Sequence, residues 1–279
     1  MIREILFPWA LMTVSALSLP VTIIKFLVAG DLHAFTSWST FRDAWFAVFW
    51  INVGPLAKQT ATPNVIPLLQ GRLKDGKVQE KVVSQPLHGA VLEIGRGVGM
   101  WTQFYKRTID EAEKEGTAGP DKIYASEPNR FLATTLRKHI KTANLEEVYH
   151  VLPIGVEGLG NATASGAKIE PESLDCIVTV QGLCCIPEPE KNLPLLYRYL
   201  KKGGHWYVFE HVCNDESPLL SGIQSFTEIF WKPMVCCHLC RDTAKALRGL
   251  GKWEEIDLAP PQGESPYEMI PHIVGTLVK

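Results

Sequence analysis

Apolar and polar residues follow one another along this chain in two rhythms, and the change comes near residue 90. No charged residue occurs between residues 4 and 25, an interval rich in Leu, Ile, Val, Phe and Trp. About 20 such residues make a helix long enough to cross a hydrocarbon core. Pro8 and Pro20 would kink that helix, and Thr13, Ser15, Ser18 and Thr22 make it less apolar than a typical span. A second uncharged run covers residues 44–57 and includes Trp45, Phe46, Phe49 and Trp50. It is too short to span as a helix, and its aromatic rings suit a membrane interface. Residues 1–58 therefore predict a hydrophobic membrane anchor, as a hairpin or re-entrant pair, or two helices packed as a lid over the rest of the chain. A cleaved signal peptide is a third reading, weakened by Glu4 beside Arg3 and by the lack of a small-x-small site before Asp31.

Residues 59–87 carry Pro63, Pro67, Gly71 and Gly76 among a run of charges, which reads as a connector with one short helix. From residue 88 to 279 short apolar runs alternate with amphipathic stretches. The runs predict strands at 90–94, 123–126, 149–152, 174–180, 206–210, 253–258 and 273–278, with helices at 101–115, 130–142, 190–200 and 242–250. Such alternation implies a mainly parallel sheet with helices on both faces. The last two strands have no helix between them and predict an antiparallel hairpin at the sheet edge. The fold class is α/β, a doubly wound, Rossmann-like seven-stranded sheet with a hydrophobic helical appendage at the N-terminus.

Composition narrows the function. The chain is 46% hydrophobic and 21% charged, with a formal net charge of -2. It shows no basic excess of the kind that grips phosphates, so nucleic acid is not an expected partner. Seven cysteines, an odd number with two adjacent pairs, make a poor disulfide framework and favour a reducing compartment. Cys236-Cys237-His238-x-Cys240 resembles half of a zinc site, but no second CxxC pair exists, and no metal is expected.

The strongest chemical signal is the segment VLEIGRGVG at residues 91–99, an apolar strand entering a loop with glycine at every second position. Glycine lets the backbone turn tightly and approach a ligand closely. A dinucleotide loop would need glycine at 95, 97 and 100, and position 100 is Met. Glu93, Gly95, Gly97 and Gly99 are thus candidates to cradle a different cofactor. The next strand ends at Glu127-Pro128-Asn129, where a carboxylate can accept hydrogen bonds from ribose hydroxyls. Glu127 sits beyond the usual ~20 residues from the loop, because the polar stretch 106–122 lengthens the intervening helix and turn. Its alternative is a solvated acid capping the next helix. Val156 and Glu157 after the third strand could flank an adenine, with an ordinary loop acid as the alternative. Gln181 and Gly182 end the fourth strand at the carboxyl edge, where open α/β sheets bind ligands.

The Glu-x-Gly-x-Gly-x-Gly pattern resembles that of class I S-adenosylmethionine-dependent methyltransferases. Over residues 90–279 the chain further resembles the methyltransferase-like protein 7 group, which are membrane-associated thiol S-methyltransferases. LEIGRGVG, SLDCIVTVQGLCCI, WYVFEHV, LCRDTAKAL and the ending PHIVGTLVK carry the likeness. The resemblance implies S-adenosyl-L-methionine as cofactor, a lipophilic small-molecule acceptor and a hydrophobic N-terminal anchor. Two departures touch the site. Arg96 and Val98 stand where the group usually has Cys and Thr, and the region between residues 214 and 237 differs. Arg96 could pair with the cofactor carboxylate or face solvent.

Methyl transfer is an in-line displacement that needs an aligned, desolvated nucleophile and a place for its proton. No Asn/Asp-Pro-Pro-Tyr/Phe motif follows the fourth strand, which disfavours N-methylation of bases or amides, and no carboxylate cluster there suggests a magnesium enzyme. His211, His238 and His272 are the candidate catalytic bases, and each has a structural hydrogen-bonding role as its alternative. Phe226, Phe230 and Trp231 fall where an acceptor lid or a buried helix face would lie. A thiol, with a pKa near ~8.5, needs little help to ionise. The expected activity is methyl transfer to a lipophilic small-molecule thiol or hydroxyl. The alternative is a cofactor-binding enzyme on the same fold that catalyses a rearrangement or cyclisation. The expected location is a membrane surface, that of the endoplasmic reticulum, contacted through residues 1–58 with the catalytic domain in the cytosol.

Overall fold

Parallel strands covered on both faces are largely apolar on both faces, and the five of this chain lie in one seven-stranded sheet. The computed structural model of the protein describes residues 2–95, 97–161, 168–215 and 217–279; Arg96 lies outside them. Two long helices come first, α1 (Ile2–Val28) and α2 (Trp38–Leu69), followed by a small hairpin of β1 (Leu73–Lys74) and β2 (Lys77–Val78). The sheet domain then runs β3 (Gly89–Ile94), α3 (Thr102–Glu115), β4 (Pro120–Ser126), α4 (Arg130–Thr142), β5 (Tyr149–Leu152) and β6 (Leu174–Val180). It continues with α5 (Pro189–Tyr199), β7 (Leu200–His211), α6 (Pro218–Val235), α7 (Thr243–Arg248), β8 (Glu255–Ala259) and β9 (His272–Val278).

The strand order is β5-β4-β3-β6-β7-β9-β8. The first five are parallel, and β9 inserts antiparallel between β7 and β8. The expected terminal hairpin is present, with β8 at the edge. Val91, Leu92, Ile177 and Val178 lose all contact with solvent, so each central strand feeds two cores. One lies under α3 and α4 and the other under α5 and α7. The order reverses between β3 and β6, which opens a crevice at the carboxyl edge.

The N-terminal helices cover that edge. In α2, residues 44–49 are all buried, so the aromatic run that suited a membrane interface packs inward on protein. Trp45 Nε1 donates to the Ser15 carbonyl at 2.7 Å, and Ser15 Oγ donates to the Met234 carbonyl of α6 at 2.7 Å. Asn129 Nδ2 ties α2 down through the Asp43 carbonyl at 2.8 Å.

The connector expected at 59–87 is instead helical as far as Leu69, through Pro55, Pro63 and Pro67. An interior proline costs a helix about 3 kcal/mol, whereas each fully buried Leu or Phe returns about 1.5–3 kcal/mol. Val65, Leu68 and Leu69 are buried in the α3–α4 core, so burial outweighs local preference. The outward side of α1 keeps Leu17, Val21, Ile24 and Leu27 exposed.

Candidate active site

The glycine loop leaves β3 at the carboxyl edge and forms one wall of a narrow cleft. Glu93, Gly95, Gly97, Gly99 and Glu127 line it, with Val180 of β6 opposite. Glu127, just past β4, is buried. Its carboxylate accepts the backbone N–H of Gly97 at 2.9 Å and of Asn129 at 2.8 Å. Gly99 has φ 81, and a Cβ there would meet Leu136 of α4 at 2.7 Å, so this position requires glycine. At Gly182 a Cβ would lie 2.6 Å from the Ile94 carbonyl oxygen. The ends of β3 and β6 therefore touch. The Glu93 carboxyl accepts from the Tyr149 hydroxyl. Burial pushes this carboxyl up to about 7, against the hydrogen bond from Tyr149, which favours the ionised form.

The remaining residues predicted for this cofactor lie outside the cleft lining. Asn129 caps α4, accepting the N–H groups of Phe131 and Leu132 at 3.0 and 3.3 Å. Pro128 and Glu157 are exposed, and Val156 is buried in the α5-side core. Gly182 serves the close packing of β3 and β6, and Gln181 faces a different space.

That space is a cavity of about 610 Å³ between the sheet edge and the N-terminal helices. Leu11, Phe46, Phe49 and Trp50 roof it, and Phe209 and Trp231 add further apolar wall. One end is polar, with Arg3, Glu4, Glu264 and Glu268. It meets the glycine-loop cleft at consecutive residues, Val180 lining one and Gln181 the other. Gln181 has φ 52, a strained backbone of the kind held at functional sites.

His211 and His272 face each other across the β7–β9 ladder, and both line the cavity. His272 Nδ1 lies 2.7 Å from Glu264 Oε1, whose other oxygen accepts the His272 backbone N–H at 2.8 Å. A carboxylate accepts in such a contact, so Nδ1 is the donor, and in a neutral imidazole so held the lone pair falls on Nε2. Gln181 Nε2 stands 3.4 Å from that nitrogen, and the Phe209 ring stacks on the imidazole at 4.9 Å. His211 is buried, with no hydrogen-bond partner for Nδ1 among the described residues and with Nε2 3.8 Å from Cys237 Sγ. Burial pushes its pKa down to about 4.

His238 does not line the cavity. Its Nδ1 pairs with Glu228 at 3.0 Å, and the same carboxylate accepts the Cys240 N–H at 2.9 Å, so both serve the turn after α6. Trp231 is buried, whereas Phe226 and Phe230 of α6 lie outside with Trp9 of α1, Phe230 at 5.7 Å between ring centres. Sequence reasoning missed Glu264, which sits in a loop where an acid carries no signal. Glu210, the other polar group at the end of β7, has a buried carboxyl that accepts the N–H groups of Gly182 and Leu183 at 2.9 and 3.1 Å and so holds the loop after β6. Burial pushes this carboxyl up to about 8. The vicinal pair Cys184-Cys185 was visible only as a doublet.

No family model matches this chain. Thiol S-methyltransferase TMT1B of Rattus norvegicus is 31% identical to it over 196 residues, 68% of this chain and 70% of that protein. The chain belongs to the thiol S-methyltransferase family. The human thiol S-methyltransferase TMT1B is 27% identical over 196 residues, with the same coverage of 68% and 70%. Solved structures agree on the fold. A geranyl diphosphate methyltransferase in complex with S-adenosylmethionine superposes with a TM-score of 0.52 at 9% identity, covering 85% of this chain and 89% of that one. The S-adenosylmethionine-dependent methyltransferase SibL gives 0.51 at 18% identity over 83% of this chain and 58% of its own. A possible histamine N-methyltransferase of Thermotoga maritima gives 0.50 at 20% identity over 84% and 97%. This thiol S-methyltransferase family member is an S-adenosylmethionine-dependent methyltransferase of class I fold, with S-adenosyl-L-methionine as its cofactor.

Proposed function

We propose that the protein methylates the sulfur of a lipophilic small-molecule thiol bound in the cavity beneath α1 and α2, with His272 taking up the thiol proton. The observation that carries this reading is the Glu264–His272 pair, 2.7 Å apart on the wall of an apolar cavity that abuts the cofactor cleft.

The cleft residues fit the cofactor by their chemistry. The buried Glu127 carboxylate, now accepting two backbone N–H groups, would hold the ribose hydroxyls. Gly95 and Gly97 would admit the amino-acid portion against bare backbone, since a Cβ at Gly95 would already meet the Val180 carbonyl oxygen at 3.4 Å. When bound, the cofactor supplies a methyl group on a positively charged sulfur. The protein's share is to bring the acceptor to the junction at residues 180 and 181, exclude water from it and take its proton.

Magnitudes favour a thiol over an alcohol. Passing a proton from a thiol of pKa ~8.5 to an imidazole of ~6.5 costs about 3 kcal/mol, whereas an alcohol near water's ~15.7 would cost roughly 12 kcal/mol. A single imidazole with one carboxylate behind it suits the first task only. The aromatic and aliphatic walls call for a lipophilic acceptor.

The outward side of α1 and α6 exposes Leu17, Val21, Ile24, Leu219, Phe226 and Ile229. α1 is long and apolar enough to cross a membrane. These features support residence on a membrane, from which a lipophilic acceptor would enter past Phe7 and Leu11. All seven cysteines are unpaired by disulfides, which supports a catalytic domain on the reducing, cytosolic side, as at the endoplasmic reticulum. Residues 1–58 then serve as lid and membrane contact together.

The test is S-adenosylhomocysteine release with matched aryl and alkyl thiols, phenols and alcohols, products identified by mass spectrometry. Methylated thiols as the main products are expected. Turnover of alcohols without thiols would overturn the reading, and cofactor consumption without a methylated product would favour a rearrangement or cyclisation. Flotation with phosphatidylcholine vesicles tests the membrane contact. Val21→Glu with Ile24→Glu should abolish flotation, and unchanged flotation would refute it.

A further inference from the structure

Three thiols from two separated stretches meet at the wall of the acceptor cavity. Cys184 and Cys185 lie in the turn after β6, Cys237 follows α6, and their sulfur atoms all lie within 4.8 Å of one another. The Cys184 and Cys185 sulfurs are 3.5 Å apart. His211, buried among cavity residues, places Nε2 3.8 Å from Cys237 Sγ, and its Nδ1 makes no hydrogen bond among the described residues. Trp231 Nε1 donates to the same sulfur at 2.9 Å, a contact that stabilises negative charge on it. Methyl transfer as described above uses none of these three sulfurs.

Buried cysteines are commonly just small apolar side chains. That account explains Cys176, which packs in the sheet core. It does not explain three sulfurs converging beside an imidazole on an open cavity. Three sulfurs bound to one ion at ~2.3 Å stand roughly 3.8–4.0 Å apart; the Cys184–Cys185 pair at 3.5 Å has to widen slightly, and no pair has to close by more than about 1 Å, to match. Thiolates are soft donors that select thiophilic ions. The ligand set differs from the half-motif visible in the sequence. Of that segment only Cys237 takes part, and its partners come from about fifty residues upstream.

We propose that Cys184, Cys185 and Cys237 bind one thiophilic metal ion as thiolates, each thiol giving up its proton, with His211 Nε2 as fourth donor. The same four side chains line the acceptor cavity, so a bound ion competes with the acceptor. The site is independent of which acceptor the enzyme uses.

The experiment titrates reduced, chelator-treated full-length protein with Cd(II), following thiolate-to-cadmium absorbance and metal per chain after gel filtration. One ion per chain is expected. Cys184→Ser and Cys237→Ser should each weaken binding more than about tenfold, while Cys213→Ser should not. Cofactor binding by calorimetry shows that each variant is folded. X-ray absorption of the cadmium-loaded wild-type protein supplies a readout free of variants and should give a shell of three sulfurs. Substoichiometric binding, equal affinity in the Cys184 and Cys237 variants, or a shell of oxygen and nitrogen alone would each overturn the proposal. Zn(II) and Cu(I), titrated in parallel, identify which thiophilic ion the site prefers.

Discussion

Replacing Glu264 by Gln removes a charge while keeping its size, and the structure sets what that should cost. Glu264 contacts His272 twice, through the backbone N–H at 2.8 Å and Nδ1 at 2.7 Å. Both side chains are mostly buried, at 16% and 18% exposure, so solvent screens the pair only partly. A hydrogen bond to a charged group is worth about 1.5–3 kcal/mol. In the proposed mechanism His272 takes up the acceptor proton and that bond becomes an ion pair, a charge that glutamine cannot supply. A loss of roughly 1.4–2.7 kcal/mol at the transition state corresponds to a fall of about 10- to 100-fold in kcat. The backbone contact can survive, so KM should stay nearly constant. S-adenosylhomocysteine release measured across thiols of decreasing pKa gives the decisive pattern. An acceptor already ionised at the assay pH has no proton to give, so the defect should shrink toward nothing along the series. A defect of equal size for every thiol, or a fully active variant, would refute the role of the pair.

Other consequences can be checked as directly. Gly182→Ala places a Cβ 2.6 Å from the Ile94 carbonyl oxygen; the resulting shift beside the glycine loop should weaken cofactor affinity about tenfold or more by calorimetry. Phe49→Ala empties a site that is 1% exposed under the lid and should cost about 3–5 kcal/mol in denaturant unfolding. Glu93 should make stability depend on pH. Its carboxyl sits at about 7 in the folded protein against 4.5 in the reference state. As pH rises from 4.5 to 7 the unfolded chain releases this proton and the folded one keeps it, so stability is lost by up to roughly 3 kcal/mol. Glu93→Gln should flatten that window in unfolding curves taken from pH 4.5 to 7, and parallel curves for the two proteins would count against the argument.

Much of the fold and one edge of the site were legible in the residues because they rest on local rules. A strand covered on both faces must be largely apolar, which 91–94 and 174–180 display with Glu93 and Asp175 as charged exceptions. A backbone that turns tightly at a strand end must use glycine, which Gly95, Gly97 and Gly99 declare, and the Glu127 carboxylate follows at the end of the neighbouring strand. The length and lack of charge of α1 are equally local facts.

Only tertiary structure decided the rest, because it depends on contacts between residues far apart in sequence. Proline chemistry argues against a helix through residues 55–67, and burial against the sheet domain overrules it. The aromatic content of residues 44–57 could not tell a membrane interface from a protein one; the inward packing of residues 44–49 places them beneath α1. His211, His238 and His272 are equivalent as letters. They part company because β7 and β9 pair side by side and a loop carboxylate reaches one of them, while another is taken up by Glu228. Cys237 likewise leaves its sequence neighbours to join Cys184 and Cys185. A sequence specifies which elements form through short-range preferences, but which side chains share a cavity is set by how those elements pack, and chemistry is done by the side chains that share it.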